Sequence, residues 1–212
     1  INIKSLNLDE LKDFDVQDNY GEEFLTIHNR VVDKLNNYNN GGLYHFSGPP
    51  GGGKSFYIKY LTSIINREFI FIPITLTDVL NSPDFLSVLL EHKNSILVIE
   101  DAERVIRSRD NDNFSLVSTI LNMADGILSS LLKISIIVTH NTDRENIDKA
   151  LLRKGRLVVD YEFNKLSIKN SQNLINKLKL DYKVIEPMSL ADIYNLKEET
   201  NFKEAKVAKI GF

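Results

Sequence analysis

Residues 48–55 have the types and spacing of a loop that binds phosphate. They read GPPGGGKS, which matches the pattern G-x-x-x-x-G-K-[ST] in full. Glycines let backbone amides approach phosphate oxygens, Lys54 supplies a full positive charge, and Ser55 offers a hydroxyl to Mg²⁺. A glycine turn that merely joined two elements would need neither the lysine nor the serine. The segment therefore predicts a nucleotide site formed by consecutive residues, Gly48, Pro49, Pro50, Gly51, Gly52, Gly53, Lys54, Ser55 and Phe56.

Two neighbouring acids offer the carboxylates that a magnesium-bound triphosphate needs. Glu100 and Asp101 directly follow SILVI at 95–99, an apolar run typical of a strand covered on both faces. Carboxylates at a strand end can hold Mg²⁺ and can orient the water that attacks a phosphate. Both acids are therefore candidate metal ligands and candidate catalytic residues, and the sequence leaves the two roles open between them. Glu103, a single acid at a helix start, is expected to be a surface residue.

Asn141 is a third candidate catalytic residue, because it follows the apolar run at 134–139. Its amide can orient the attacking water or contact the γ-phosphate, whereas an isolated asparagine at a strand end is commonly a turn residue. His140 beside it is expected to be structural. The four histidines, at 28, 45, 92 and 140, lack the spacing of metal ligands, and the chain has no G-x-S-x-G nucleophile motif.

The elements that position these residues alternate along the chain. Apolar and β-branched runs predict strands over 43–46, 69–75, 95–99, 134–139 and 157–163. Three- and four-residue apolar spacing predicts helices over 21–37, after Lys54, from Ser82-Pro83 onward, over 114–132 and over 144–153. Such alternation indicates an α/β fold of the P-loop NTPase kind, with a doubly wound, parallel, five-stranded sheet.

The pattern changes after Asn164. Residues 168–180 and 190–196 are expected to form helices, separated by a break that contains Pro187. We therefore predict two units: a phosphate-loop core over residues 1–163, and a small, mainly helical lid with a tail over 164–212.

Composition excludes several other functions. The 212 residues carry 26 basic and 29 acidic side chains, a net charge of −3, so nothing indicates a whole-chain attraction to nucleic acid or to anionic lipid. Without cysteine the chain has no disulfide, thiolate metal site or cysteine nucleophile. No apolar run approaches the roughly 20 residues of a membrane span. We expect a cytoplasmic protein.

Taken in chain order, four segments resemble motifs of the AAA+ ATPases, and in particular of the AAA branch. They read GPPGGGKS, ILVIEDAE, IIVTHN and IDKALLRKGR. The similarity extends from about Tyr20 to Phe163, roughly two thirds of the chain. The resemblance implies ATP and Mg²⁺ as ligands, ATP hydrolysis as the activity, and a base-binding region near Tyr20-Gly21.

The last of these segments bears on assembly. Residues 147–156 closely resemble the family's "LDPALLRPGR", and in that family the arginines at the positions of Arg153 and Arg156 reach into the neighbouring subunit's nucleotide site. An arginine supplied in trans accelerates phosphoryl transfer by roughly 10³–10⁵-fold. The resemblance thus implies catalytic arginines and a head-to-tail ring of identical chains, a hexamer or heptamer. The alternative is a basic helix end favoured by the helix dipole.

Some features depart from the general family pattern. The second acidic motif is Glu-Asp rather than Asp-Glu, and this order, like LNMADG at 121–126, resembles the branch typified by the mitochondrial translocase of the Rieske iron–sulfur protein. Residues 74–89 lack the aromatic-hydrophobic-glycine triplet with which many AAA unfoldases grip a polypeptide. The lid lacks a clear second sensor arginine.

These features predict an ATP-hydrolysing ring that remodels or moves a protein partner. One alternative is a nucleic-acid-directed loader or helicase accessory, since the C-terminal part is rich in lysine: Lys165, Lys169, Lys177, Lys179, Lys203, Lys206 and Lys209. Another is a slow nucleotide-gated switch, which only the Glu-Asp order supports. Turnover measured against protein concentration separates the readings, because a ring gains activity as it assembles.

Overall fold

The fold is built on a single parallel sheet. The computed structural model describes residues 11, 14–36, 41–73, 82–106, 114–125, 127–141, 147–153 and 155–198. The five strands lie in the order β2-β3-β4-β1-β5, and every pair is parallel. Their bounds are β1 Gly42–Ser47, β2 Phe69–Ile72, β3 Ile96–Ile99, β4 Ser135–Thr139 and β5 Leu157–Glu162. The predicted doubly wound α/β sheet is confirmed.

Helices connect and cover these strands. They are α1 Val16–Tyr20, α2 Phe24–Asn36, α3 Lys54–Ile64, α4 Pro83–Glu91, α5 Glu103–Ile106, α6 Phe114–Asp125, α7 Ile127–Leu132, α8 Ile168–Lys177 and α9 over 190–198. Within the described ranges, none of them combines the length and the apolar character needed to cross a membrane.

Both faces of the sheet are covered, which explains the continuous apolar runs in the sequence. Tyr44 and Ile137 belong to a buried cluster with α2, α3 and the C-terminal helices. Their neighbours Leu43 and Ile136 point to the opposite face, into a cluster with α4, α6 and α7. The central strands β1, β3 and β4 alternate between these two buried faces, so their residues are mainly apolar.

The C-terminal helices pack on the side of the sheet that carries α2 and α3. Leu174 of α8 and Ile193 of α9 belong to the same buried cluster as Phe163. An antiparallel bridge between Leu166 and Met188 joins the segment before α8 to the segment before α9. The helices that follow the last strand are thus anchored on the apolar core.

Side chains cap the helices at predicted and unpredicted positions. Ser82 caps α4 by accepting a hydrogen bond from the amide of Phe85, which confirms the predicted helix start. Asp15 caps the short α1, which was not predicted. Gly21 ends α1 with φ of 89°, a backbone region that glycine adopts readily, so the predicted helix over 21–37 begins later, at Phe24.

Two other sequence predictions differ from the structure, and a third agrees with it. The helix predicted over 114–132 is confirmed over α6, Phe114–Asp125, and α7, Ile127–Leu132, and residue 126 lies outside the described ranges. The helix predicted over 144–153 is wrong where it can be checked, because 147–153 form a bridge and turns. The strand predicted over 69–75 ends at Ile72, and residues 74–75 lie outside the described ranges.

Candidate nucleotide site

The candidate residues converge at one edge of the sheet. In a parallel sheet all carboxyl ends lie on the same side, and ligands bind there. The phosphate loop leaves β1 at Ser47, Glu100 follows β3, and His140-Asn141 follow β4. These three strands are neighbours in the sheet order, so residues far apart in the sequence lie side by side.

The glycines of the loop fit a backbone that runs very close to β5. A Cβ on Gly48 would lie 2.3 Å from the carbonyl oxygen of Phe163, a contact that no side chain tolerates. Gly53 has φ of 93° and directly precedes α3, so its left-handed backbone turns the loop into the helix. The loop is therefore held against the sheet with the N-terminus of α3 behind it, which is the arrangement that binds phosphate.

Lys54 lies buried at the base of this loop. Its ammonium donates hydrogen bonds to the carbonyls of Gly48 at 2.7 Å and Pro49 at 3.0 Å. A third goes to Oδ1 of Asn141, at 2.7 Å, so the lysine joins the loop to the end of β4. Burial lowers the pKa of Lys54, while nearby carboxylates, first that of Asp101, act to raise it.

Asn141 connects this lysine to two carboxylates. Its amide nitrogen Nδ2 donates to Asp101 at 3.3 Å and to Glu103 at 3.2 Å, and its backbone N–H donates to the same Glu103 oxygen at 2.7 Å. Glu103, expected at the surface, is partly exposed and in addition accepts hydrogen bonds that hold Asn141 in place. Asp101 has φ of 51°, which aspartate tolerates better than most residues, and its N–H donates to the hydroxyl of Thr139.

Glu100 has the environment expected of a residue that faces a metal ion. Its Oε1 is buried and has no hydrogen-bond partner among the described residues. A buried carboxylate oxygen left unpaired is costly, and a bound cation would satisfy it. No group of three or more His, Asp or Glu side chains suited to a metal occurs within the described ranges. Mg²⁺ bound with a nucleotide takes one or two protein carboxylates together with waters and phosphate oxygens, so a single carboxylate such as that of Glu100 is compatible with it.

A cleft of about 870 Å³ lies beside the loop. Its volume falls in the range of about 300–1,000 Å³ that small-molecule sites occupy. One wall is the loop with Lys54, Ser55, Asp101 and Asn141. The other wall is mainly apolar and aromatic, with Phe14, Phe56, Leu178, Leu190, Ala191 and Tyr194, and it also carries the polar side chains of Asn19, Lys197 and Glu198. The cleft thus has one charged end and one mainly apolar end.

The region expected to border the base divides into two parts. Tyr20 turns into the core, where its hydroxyl donates to the carbonyl of Gly53 at 2.9 Å and burial raises its pKa well above the usual value. Asn19 lines the cleft instead, and its Oδ1 accepts a hydrogen bond from Tyr194 of α9 at 2.6 Å. Sequence reasoning missed Asn19 and Tyr194, since only the fold brings them together.

The two arginines lie at the other edge of the sheet. Arg156 immediately precedes β5, and its carbonyl accepts a hydrogen bond from the amide of Leu43 at the start of β1. From Leu43 to Gly48 the strand rises five residues, about 16 Å at roughly 3.3 Å per residue. Arg153 is exposed on the turn before it. These arginines are thus separated from the phosphate loop of their own chain by the length of β1.

Fold and site together define a P-loop NTPase, in which a glycine loop between a central strand and a helix binds the phosphates. Residues 44–165, more than half of the chain, match the model of the ATPase family associated with various cellular activities (AAA). The chain belongs to this family of ATPases.

Individual relatives agree with this assignment. AAA-ATPase At5g40000 of Arabidopsis thaliana is 30% identical over 186 residues, 78% of this chain and 39% of the relative. AAA-ATPase At3g50940 of the same plant is 37% identical over 125 residues, 54% of this chain and 27% of the relative. Human mitochondrial chaperone BCS1 is 31% identical over 148 residues, 64% of this chain and 34% of the relative. The expected resemblance is confirmed, and the chain spans well under half of each relative's length.

Proposed function

We propose that this chain hydrolyses ATP as one unit of a ring of identical copies, a hexamer or heptamer, and that the ring acts on a protein partner. The contact that carries the proposal is the 2.7 Å hydrogen bond between Lys54 Nζ and Asn141 Oδ1 at the charged end of the cleft. It joins the phosphate loop to the neighbouring strand end, the two elements between which a γ-phosphate would bind. Membership of the ATPase family supports ATP as the nucleotide.

Within one subunit the proposed roles follow from burial. Amides of residues 48–53 and Lys54 bind the phosphates, and Phe56 and Tyr194 face the base. Ser55 and Glu100 hold Mg²⁺, because the Oε1 of Glu100 is buried without a partner. Bound Mg²⁺ neutralises charge that develops on the phosphates. Asp101 lines the cleft, is held by Asn141 and orients the attacking water.

A ring gives Arg153 and Arg156 a nucleotide site that they can contact. Because Arg153 and Arg156 lie about a strand's length from their own phosphate loop, roughly 16 Å, they serve a neighbouring copy's site. A head-to-tail interface of this kind closes into a ring. In this account residues 1–163 form the ATPase core, and 164–212 form a lid over the apolar end of the cleft.

Arg156→Ala tests this role. ATP binding should persist, because the arginine is remote from its own phosphate loop, while turnover should fall by roughly 10³-fold or more. Lys149→Ala, on the exposed turn nearby, is the matched control and should keep normal turnover. Undiminished turnover of the Arg156 variant in assembled rings would contradict the proposal.

A protein partner is favoured over nucleic acid. The human relative is named a chaperone. One lysine of the basic C-terminal part, Lys177, is engaged with Asp18 of α1, and Lys203, Lys206 and Lys209 lie outside the described residues. We expect turnover per chain to rise with protein concentration as the ring assembles, and to stay unchanged when DNA or RNA is added at low salt. The cytoplasmic location stays a prediction.

A further inference from the structure

Three polar side chains form a hydrogen-bonded row across β4, β1 and β5, on one side of the sheet. Asp160 of β5, His45 of β1 and His140 after β4 lie on three adjacent strands. Oδ1 of Asp160 is 2.7 Å from Nδ1 of His45, and Nε2 of His45 is 2.5 Å from Nε2 of His140. The two histidines are 2% and 0% exposed. Because desolvated polar groups are costly, such a row in an otherwise apolar sheet calls for an explanation.

The row has one consistent arrangement of protons when both rings are neutral. An ionised Asp160 can only accept, so Nδ1 of His45 carries a proton and its Nε2 is left as an acceptor. The facing Nε2 of His140 must then donate. Each ring is fixed in one tautomer and one orientation by the next, and the row ends on a carboxylate whose side chain is 20% exposed.

The row ends next to the candidate catalytic network. His140 directly precedes Asn141, whose side chain contacts Lys54 and Asp101. The backbone N–H of His140 also donates to the carbonyl of Phe46 in β1, at 3.2 Å. His140 is therefore tied to β1 through both its backbone and its ring, and the chain leaves β4 in a fixed direction at Asn141.

We infer that His45 and Asp160 are positioning residues that act through His140 to hold Asn141 in line with Lys54. This inference rests on the proposed function, because Asn141 is taken to face the γ-phosphate. It adds residues outside the recognised motifs, and it links Asn141 to β5, the strand that Arg156 precedes.

The test replaces both rings together. In the double variant His45→Phe, His140→Phe the two facing imidazole nitrogens are removed together, and the Asp160 carboxylate that loses the Nδ1 of His45 is 20% exposed to water, so the fold should survive. We expect kcat for ATP to fall roughly 10-fold through misplacement of Asn141, with KM within about 2-fold of wild type. His28→Phe, which removes the 3.0 Å contact of another histidine with the Tyr57 hydroxyl, is the matched control and should keep wild-type kcat.

Adding the two phenylalanine replacements to an Asn141→Ala chain shows whether their effect on kcat passes through Asn141. In that background the double replacement should cause no further loss of kcat, because the residue it acts through is gone. Wild-type kcat in the folded double variant, or an equal additional loss in the Asn141→Ala background, would overturn the inference. If the double variant fails to fold, Asp160→Asn, at the partly exposed end of the row, takes its place. Its kcat should be about 3-fold below wild type, and the loss should again disappear in the Asn141→Ala background.

A measurement without nucleotide distinguishes failure of the proposed ATPase function from failure of the positioning role of His45 and Asp160. If the wild-type chain shows no ATP turnover, the proposed function fails. The inference is then decided by the NMR signals of the Asn141 side-chain amide in the full chain. A shift of those signals in the double variant, with none in His28→Phe, supports positioning; unchanged signals in both refute it.

Discussion

Polar groups at the amino ends of the strands and polar groups at the carboxyl ends have different surroundings. At the amino ends of the strands, Arg67 donates five hydrogen bonds, at 2.6–3.1 Å. These use all five N–H groups of a guanidinium. The acceptors are the carbonyls of Leu35, Asn94, Ser95 and Lys133 and the hydroxyl of Ser135. One guanidinium thus pairs five acceptors at this edge, where the hydroxyl of Ser95 is the buried oxygen that has no partner among the described residues.

The carboxyl edge is organised but left open. Lys54, Asn141 and Asp101 contact one another beside an 870 Å³ cleft, and Oε1 of Glu100 is buried without a partner among the described residues. Because one set of five strands forms both edges, the difference lies in the residues that precede and follow these strands. The comparison teaches that the cation at the amino edge is held among protein acceptors, whereas Lys54 at the carboxyl edge, although also hydrogen-bonded, lines an open cleft.

Lys54→Ala should have the largest effect on the open edge. Loss of the ammonium should weaken ATP binding at least about 100-fold, since a charge-assisted contact to phosphate is lost at a buried site. The free energy of unfolding should change little, because removal of a desolvated charge offsets the lost hydrogen bonds. Calorimetry with ATP·Mg and chemical denaturation measure the two quantities, with exposed Lys93→Ala as the control. Wild-type affinity in the variant would show that the cleft is not the nucleotide site.

Glu100→Gln should act next most strongly, and through the metal. Turnover should fall roughly 10–100-fold and the Mg²⁺ concentration needed for half-maximal turnover should rise, because an amide is a weaker ligand than a carboxylate. A Mg²⁺ titration of turnover measures this. Glu91→Gln, at the exposed end of α4, should leave the titration unchanged. An unaltered Mg²⁺ requirement in the Glu100 variant would remove this residue from the metal site.

Arg67→Ala should show the reverse pattern to Lys54→Ala. The free energy of unfolding should fall by about 2–4 kcal/mol, because several carbonyls lose their donor at once. ATP affinity of the folded fraction should stay within about 2-fold, since the two edges are separated by the length of the strands. Denaturation and calorimetry on the same sample measure both. A large loss of affinity with unchanged stability would overturn the division between the edges.

Tyr194→Phe should have the smallest effect. It removes only the 2.6 Å hydrogen bond to Asn19, so unfolding should become easier by about 1 kcal/mol. The apparent KM for ATP should rise no more than about 3-fold, because α9 is also held by apolar contacts. Steady-state kinetics checks the shift, and Tyr182→Phe on an exposed ring is the control. A KM beyond that range would show that this contact carries more of the base site than we propose.

Local patterns were sufficient for much of the fold and for part of the site. The phosphate motif occupies consecutive residues, and Glu100 and Asn141 each follow a clear apolar run, so topology alone brings them to one edge. The turns at 147–153 were not predictable in this way, because the apolar spacing of Ile147, Leu151 and Leu152 is helical although these residues pack as turns.

Residues that depend on pairing between distant strands could not be predicted. Glu103 looked like an isolated acid, and its contact with Asn141 spans 38 positions. His45 and Asp160 are 115 positions apart and become neighbours only through the register of β1 with β5. The local sequence offers one indication of this row, a polar residue such as His45 inside an otherwise apolar strand.

Subunit mixing tests most directly whether a neighbouring copy supplies the arginine. Asp101→Asn lacks the carboxylate that we propose to orient the attacking water, and Arg156→Ala lacks the arginine that we propose to act in trans, so each alone should be nearly inactive. Equal mixing should restore activity, because about a quarter of the interfaces would then pair an intact Asp101 with an intact Arg156. Rings shown to contain both variants yet no more active than either alone would contradict the account.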